Sequence, residues 1–309
     1  MKIVYAGTPD FAVAPLKSLI ENGFEVVGVI TQRDKPQGRK GILTPPPVKT
    51  YALEQGIPVL QPEKIREALG EVKALGGDML ITCAYGQILT QECLDCFERG
   101  VWNIHAGLLP QYRGASPIQS CILAGETETG VCVMKTELGL DSGDILLTQK
   151  TQISETETYG ELSARLSVIG AELIVKAVNA LCSGDYTLSP QSAENVCTVR
   201  KINKEHAKID FSKSVKEIVD LVRAMNPAPV AYTTLDGMKL NVYRAEKSDE
   251  TPSGVVGEVL NDIPKKGLLV RCGDGVVKLV EVQAAGGKRM SGGDFLNGRK
   301  ARKGQVFEC

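Results

Sequence analysis

The feature that most constrains this chain is a rhythm in its first 190 residues, where short continuous apolar runs alternate with stretches of helical spacing. KIVYA (2–6), EVVGVI (25–30), DMLITC (78–83), VWNI (101–104) and VCVMKT (131–136) read as strands, and residues 10–22 read as a helix. Runs that are apolar at every position, rather than at alternate ones, suit strands covered on both faces. Strands alternating with helices imply a mostly parallel sheet joined by right-handed crossovers. The longest helix is expected over 159–182, with Leu162, Leu166, Ile169 and Leu173 on one stripe. Thr158, three residues before Glu161, supplies a capping-box start for it.

Polar sequence from Ser183 to Glu205 breaks that rhythm and reads as a linker. Beyond it, 214–225 has the period of one helix, with Val215, Ile218, Val219 and Val222 as its apolar stripe. Five short strand candidates follow at 229–235, 238–244, 254–260, 267–272 and 275–282. Asp236-Gly237 and Asp274-Gly275 mark tight turns between them. So many strands in so short a stretch suggest a small barrel of the oligonucleotide-binding (OB) type. The expected fold class is therefore α/β, a Rossmann-like, mostly parallel sheet domain followed by a small C-terminal OB-like β-barrel. The boundaries are 1–189 for the first domain, 190–206 for the linker and 207–309 for the second.

Composition narrows the setting. A chain with 43% apolar and 24% charged residues builds a globular core. No apolar run reaches the roughly 18 residues of a membrane helix, and MKIVYAGTPDF enters a strand with no signal-peptide pattern. Nine cysteines, an odd count, do not suit a disulfide framework, so a reducing cytoplasmic location is expected. Cys93 and Cys96 form a lone CxxC without the second pair or the histidine that zinc would need.

Net charge is −1 overall but unevenly spread. Residues 207–309 hold 17 Lys or Arg against 13 Asp or Glu, a surplus of +4, whereas the remainder holds 19 against 24, or −5. Lys288, Arg289, Arg299, Lys300, Arg302 and Lys303 crowd the C-terminal end, facing only Asp294 and Glu308. Arg33, Lys35, Arg39 and Lys40 form a second basic cluster near the start. Such clusters are either solvated surface or the footprint of phosphate-backbone contact.

The chemistry concentrates in WNIHAGLLPQYRGASPIQ (102–119). AGTPDF, after the first strand, lacks the three glycines of a dinucleotide fingerprint, which disfavours a nicotinamide enzyme. Asn103 and His105 are two apart on a strand and so share a face. Ligands of open α/β sheets bind beyond strand C-terminal ends, where this pair would sit. Asp141, between Gly139 and Gly143 in ELGLDSGDIL, either bonds its own backbone in a turn or stands against His105, raising the imidazole pKa and fixing its tautomer. An Asn, a His and an Asp around one cleft suit acyl transfer: Asn and protonated His can donate to an oxyanion, and Asp can balance charge and take the proton of an attacking amine. No Ser or Cys stands near enough in sequence to require a covalent intermediate.

NIHAGLLPQYRGASPIQ followed by LDSGDIL closely resembles the folate-dependent formyltransferase family. The resemblance implies a catalytic trio of Asn103, His105 and Asp141, and transfer of formyl from 10-formyltetrahydrofolate to a primary amine without a metal. It also implies a folate cleft lined by Tyr85, Gly86, Gln87, Ile88 and Leu89, by Gly107, Leu108, Leu109 and Pro110, and by Leu138, Gly139 and Leu140. Glycinamide ribonucleotide formyltransferases resemble only the first 200 or so residues, while sugar-nucleotide members and the formyltetrahydrofolate dehydrogenase hydrolase domain share both domains. AGTPDFA, TQRDKPQGRKGILTPPPVK, RKINKEHAKIDF, RAMNPAPVAYT and SGGDFLNG point instead to the members that formylate methionyl-initiator tRNA. Those members imply a monomer, no membrane, and tRNA contacts from Arg33, Lys35, Arg39 and Lys40 and from Lys288, Arg289, Arg299, Lys300, Arg302 and Lys303. Where the family usually has Ser, Arg and Trp, this chain has Gly107, Gln111 and Ala228.

Overall fold

In the computed structural model, which describes residues 1–38 and 40–308, the apolar runs of the first half assemble into one seven-stranded sheet. Its strands are β1 (Lys2–Gly7), β2 (Glu25–Ile30), β3 (Val59–Leu60), β4 (Met79–Cys83), β5 (Val101–His105), β6 (Glu128–Lys135) and β7 (Ile145–Gln152), in the order β7-β6-β5-β4-β1-β2-β3. Strands β1 to β5 pair in parallel. Strand β6 runs antiparallel to β5, and β7 antiparallel to β6. Every residue of β4 is buried, as its unbroken apolar run requires. Two strands had no readable signal: β3 has only two residues, and β7, at the sheet edge, is largely exposed and polar.

The helix Tyr159–Ser183 begins at the expected capping box, where the Glu161 carboxylate accepts from the Thr158 N–H and hydroxyl, both at 2.8 Å. By length and composition it could cross a membrane, with a mean hydropathy of 1.6 in its most apolar window. Packing accounts for that apolarity. Leu166, Leu173, Ile174, Ala177 and Val178 are buried, and Gly170 lies against Ile104 of β5 and Val131 of β6.

Packing divides the chain into two units, the first comprising Met1–Pro117, Glu128–Gln152 and Ser163–Arg200. The second gathers Ile118–Thr127, Ile153–Leu162 and the chain from Lys201 onward. In it, β8 (Ala231–Leu235), β9 (Met238–Ser248), β10 (Leu268–Arg271) and β11 (Val276–Ala284) form an antiparallel sheet ordered β8-β9-β11-β10, with β12 (Met290–Ser291) also on β11. The sheet curls through single bridges: Val259 to Val270, Glu258 to Val306, and Glu308 back to Thr234 of β8. The expected strand at 254–260 makes only two of these bridges. Gly254 and Gly257 adopt φ of +72° and +84°, which breaks an extended backbone there.

Residues Phe211, Ile218, Leu240, Val270, Leu279 and Phe307 are core members inside the curl, and the Phe211 and Phe307 rings lie 5.4 Å apart. The helix Val215–Met225 covers them, capped reciprocally by Ser214 and Glu217. Its other side holds a buried charge pair: Arg223 donates to Asp220 at 2.6 Å and to the Ser154 and Glu157 carbonyls at 2.9 and 3.0 Å. Burying two charges costs several kcal/mol; the carboxylate and two carbonyls around Arg223, and Lys216 on Asp220 at 2.6 Å, offset that cost, although Arg223 Nε is buried without a partner among the described residues.

Candidate active site

Strand β5 delivers Asn103 and His105 to one face of the sheet. Beside it on β4, the Thr82 hydroxyl donates to Asn103 Oδ1 at 2.9 Å. A hydroxyl has one hydrogen to give, so this bond turns the amide carbonyl inward and leaves the Asn103 NH₂ group facing away from Thr82. Among the described residues nothing accepts from that nitrogen.

His105 is 4% exposed, and its Nε2 lies 3.0 Å from the Tyr112 carbonyl oxygen. A carbonyl only accepts, so Nε2 carries the hydrogen. The other ring nitrogen, Nδ1, stands 3.7 Å from Asp141 Oδ2. That is beyond a hydrogen bond but well within reach of a charge. Burial pushes the imidazole pKa below its ordinary value; the Asp141 carboxylate and the Tyr112 carbonyl push it up without winning. Asp141 thus acts in the expected upward direction, but the net shift is downward because burial outweighs it, which favours a neutral ring with its Nδ1 lone pair toward the carboxylate.

Asp141 reaches this place by an unexpected route. Because β6 is antiparallel to β5, the loop 136–144 starts beside Trp102, level with Lys135, and not past a parallel strand end. It folds back along the sheet, and Asp141 takes φ +45° in doing so. The Asp141 carboxylate accepts from the Gly114 N–H at 2.7 Å. Gly114 itself has φ +115°, and a Cβ there would run into the Val199 carbonyl. Gly143 is equally confined, since a Cβ would meet the Lys135 carbonyl.

Residue Gln191 had no motif or period to announce it. Its side chain bonds Arg113 and the carbonyls of Asp141 and Gly143. Nearby, Thr198–Val199 pairs in parallel with Arg113–Gly114, and the Tyr112 N–H donates to Cys197 Sγ at 3.1 Å.

The loops expected to line the folate cleft divide by role. Tyr85 is buried in a hydrophobic cluster with Leu89 against it, and its carbonyl accepts from Thr8 at 3.0 Å and Gln32 at 3.3 Å. The Gln87 side chain fastens the neighbouring loop through the Ile65 N–H and the Pro62 and Glu63 carbonyls. Gly86 turns the chain at φ +84°. By contrast Ile88, Leu138 and Leu140 are 89%, 66% and 60% exposed, apolar side chains with nothing over them. Leu108 touches the floor at Gly130, and Leu109-Pro110 is a cis peptide. Gly107 lies beside the imidazole, where a Cβ would stand 3.1 Å from His105 Nε2. Leu138, Gly139 and Leu140 belong to the same returning loop as Asp141.

The basic groups are spread over both units. In the first, Lys35 and Lys40 are exposed on or beside the hairpin of Lys35–Gln37 and Ile42–Thr44, and Arg33 pairs with Glu63 at 3.0 Å. Arg39 lies outside the described residues. In the second, Lys288, Arg289, Arg299, Lys300, Arg302 and Lys303 are exposed. Among the described residues none of these six side chains has a carboxylate partner, although the Lys303 backbone N–H donates to Asp262 at 2.6 Å and the Arg289 guanidinium stacks 3.5 Å over the Tyr243 ring.

Comparison with known proteins agrees with this geometry. The formyl transferase family model matches residues 1–178, and that of the formyl transferase C-terminal domain matches residues 201–300. The chain belongs to the formyl transferase family. Within it, the resemblance is to methionyl-tRNA formyltransferases: that of Bacillus subtilis (strain 168) is 43% identical over 309 residues, spanning 99% of this chain and 97% of that one. The protein of that description from Neisseria meningitidis serogroup A is 44% identical, over 98% and 99% of the two chains. Among solved structures, the N-formyltransferase of Helicobacter canadensis, in complex with folinic acid and dTDP-3-aminofucose, superimposes with a TM-score of 0.69 at 20% identity, over 90% of this chain and 98% of that one. At that identity the likeness is one of fold.

Proposed function

We propose that this protein transfers the formyl group of 10-formyltetrahydrofolate to the α-amino group of methionine esterified to initiator tRNA. The observation that carries this reading is end-to-end similarity to methionyl-tRNA formyltransferases at 42–44% identity, in a chain that carries Asn103 and His105 on one strand with Asp141 3.7 Å from the imidazole. The folate donor is supported by the exposed apolar side chains of Ile88, Leu138 and Leu140, which suit a flat aromatic ring system, and by fold neighbours bound to folates.

The donor supplies an electrophilic carbonyl carbon, and the residues manage charge and a proton around it. The free Asn103 NH₂ donates to the formyl oxygen as it gains negative charge. The attacking amine must be neutral, which esterification favours by lowering amine basicity. As its nitrogen bonds to the formyl carbon it loses a proton, and His105 Nδ1 accepts it. Asp141, 3.7 Å away, stabilises the imidazolium that results. The same proton then passes to the folate nitrogen as its bond to carbon breaks, and His105 returns to neutral. The exposed basic groups hold the tRNA backbone.

Incubating the protein with 10-formyltetrahydrofolate and either methionyl-tRNA or an amino-sugar nucleotide, and following N-formylation, tests the reading. Formylation of the tRNA substrate alone is expected; formylation of the sugar nucleotide alone would reassign the acceptor.

A further inference from the structure

We infer that Gln191 is a positioning residue for the His105–Asp141 pair, supplied by a segment that reads in sequence as linker. The inference rests on the formyl-transfer reading above. All the bonding capacity of the Gln191 amide is used. Its Oε1 accepts from Arg113 Nη2 at 2.7 Å and Nε at 3.1 Å, and its Nε2 donates to the Asp141 and Gly143 carbonyls, both at 2.8 Å.

What those partners do gives the contact its meaning. Arg113 stands between Tyr112, whose carbonyl takes the His105 Nε2 hydrogen, and Gly114, whose N–H holds the Asp141 carboxylate. Asp141 and Gly143 belong to the loop that must fold back along the sheet at a left-handed residue. One amide therefore ties the backbone that orients the imidazole to the backbone that carries the carboxylate. The 3.7 Å between Nδ1 and Oδ2 is not bridged by a direct hydrogen bond, so the two residues need an outside reference to keep their spacing. The parallel pairing of Thr198–Val199 with Arg113–Gly114 holds the same segment in place on its other side. Gln191 touches neither reacting group; it acts through Asp141 and Arg113.

Two substitutions test this. Gln191→Ala removes all four bonds, whereas Gln191→Glu keeps the shape and the Arg113 contacts but turns an acceptor toward the carbonyls of Asp141 and Gly143. Misplacement on the ångström scale is expected to lower kcat by roughly 100-fold in both variants. KM for the folate and the tRNA should stay near wild type. The chain has two histidines, so imidazole nitrogen NMR separates His105 from His206. The His105 resonances should move in both variants and those of His206 should not. Wild-type kcat in Gln191→Glu, or unmoved His105 resonances in a folded variant, overturns the inference. Absence of methionyl-tRNA formylation by the wild-type protein would instead sink the functional reading, and the NMR comparison would still decide the role of Gln191.

Discussion

The Nε2 of His105 and the carbonyl oxygen of Tyr112 lie 3.0 Å apart, and that contact decides which nitrogen of the ring is left to do chemistry. With one N–H committed to a carbonyl, the neutral imidazole has a single free lone pair, on Nδ1, and it faces Asp141. Tyr112 holds this carbonyl in place from a left-handed conformation, φ +56°, a mildly costly backbone of the kind that gathers at functional sites.

Burial of His105 makes stability depend on pH. Its folded pKa is lowered below the unfolded value of about 6.5. The unfolded chain therefore binds more protons than the folded one as pH falls below that value, and folding weakens until the folded imidazole also titrates. Denaturant midpoints measured at pH 7.5 and 5.5 should fall further in the wild type than in His105→Asn. Equal losses in the two proteins would show that other groups carry the acid sensitivity.

Removing the donor amide in Asn103→Ala should cost about 100-fold or more in kcat, the usual penalty for losing one oxyanion donor. Thr82→Val should cost less, because it frees the Asn103 amide to rotate without deleting it. Steady-state rates at saturating folate check both; a Thr82→Val loss larger than that of Asn103→Ala would reverse the assigned order.

A methyl group at Gly114 cannot be absorbed, since φ is +115° and the Val199 carbonyl blocks the Cβ. Gly114→Ala should destabilise the fold by about 2 kcal/mol, at the scale of backbone strain. It should also move the N–H that holds Asp141, so that turnover falls even at temperatures where the variant is folded. Thermal unfolding measured beside kcat separates the two effects.

In the second unit, Asp220→Ala would leave the Arg223 guanidinium buried with its carbonyl partners but no counter-charge. A loss of about 3–5 kcal/mol is expected. Arg223→Leu together with Asp220→Leu should recover much of it, as apolar replacements of buried ion pairs often do. Urea unfolding of the single and double variants measures the difference.

Reversal of Lys300 and Arg302 to Glu should weaken tRNA binding and flatten its salt dependence, by about one unit of log–log slope for each phosphate that is no longer neutralised. Filter-binding across a salt series reads both quantities. Unchanged slopes would mean these side chains are solvated in the complex.

The sequence was most legible where chemistry is local. Asn103 and His105 share a strand and a period of two, and Thr158 and Glu161 make a capping box. What it concealed was set by pairing and packing. The direction of β6 has no local signal, so the route by which Asp141 returns to His105 could not be read from ELGLDSGDIL. Two glycines at positive φ dissolved a strand that residues 254–260 otherwise spell. The imidazole pKa followed burial rather than its acidic neighbour, and burial depends on the helix and sheet around a residue. Gln191 lies in polar text whose composition matches any surface loop, because an amide bonded to three distant residues leaves no periodic trace.

The contacts of residues 189–199 bear on how this protein can be cut. Ser189 bridges Ile145 of β7, Gln191 grips the Asp141 loop, and Thr198–Val199 completes a two-stranded clasp on Arg113–Gly114. A fragment ending at Ser189 would retain Asn103, His105 and Asp141 yet lack the Gln191 and Thr198–Val199 contacts, whereas one extended to Arg200 would keep them. For dissection or domain exchange in this chain, the useful scissors point therefore falls after Arg200, 11 residues beyond Ser189.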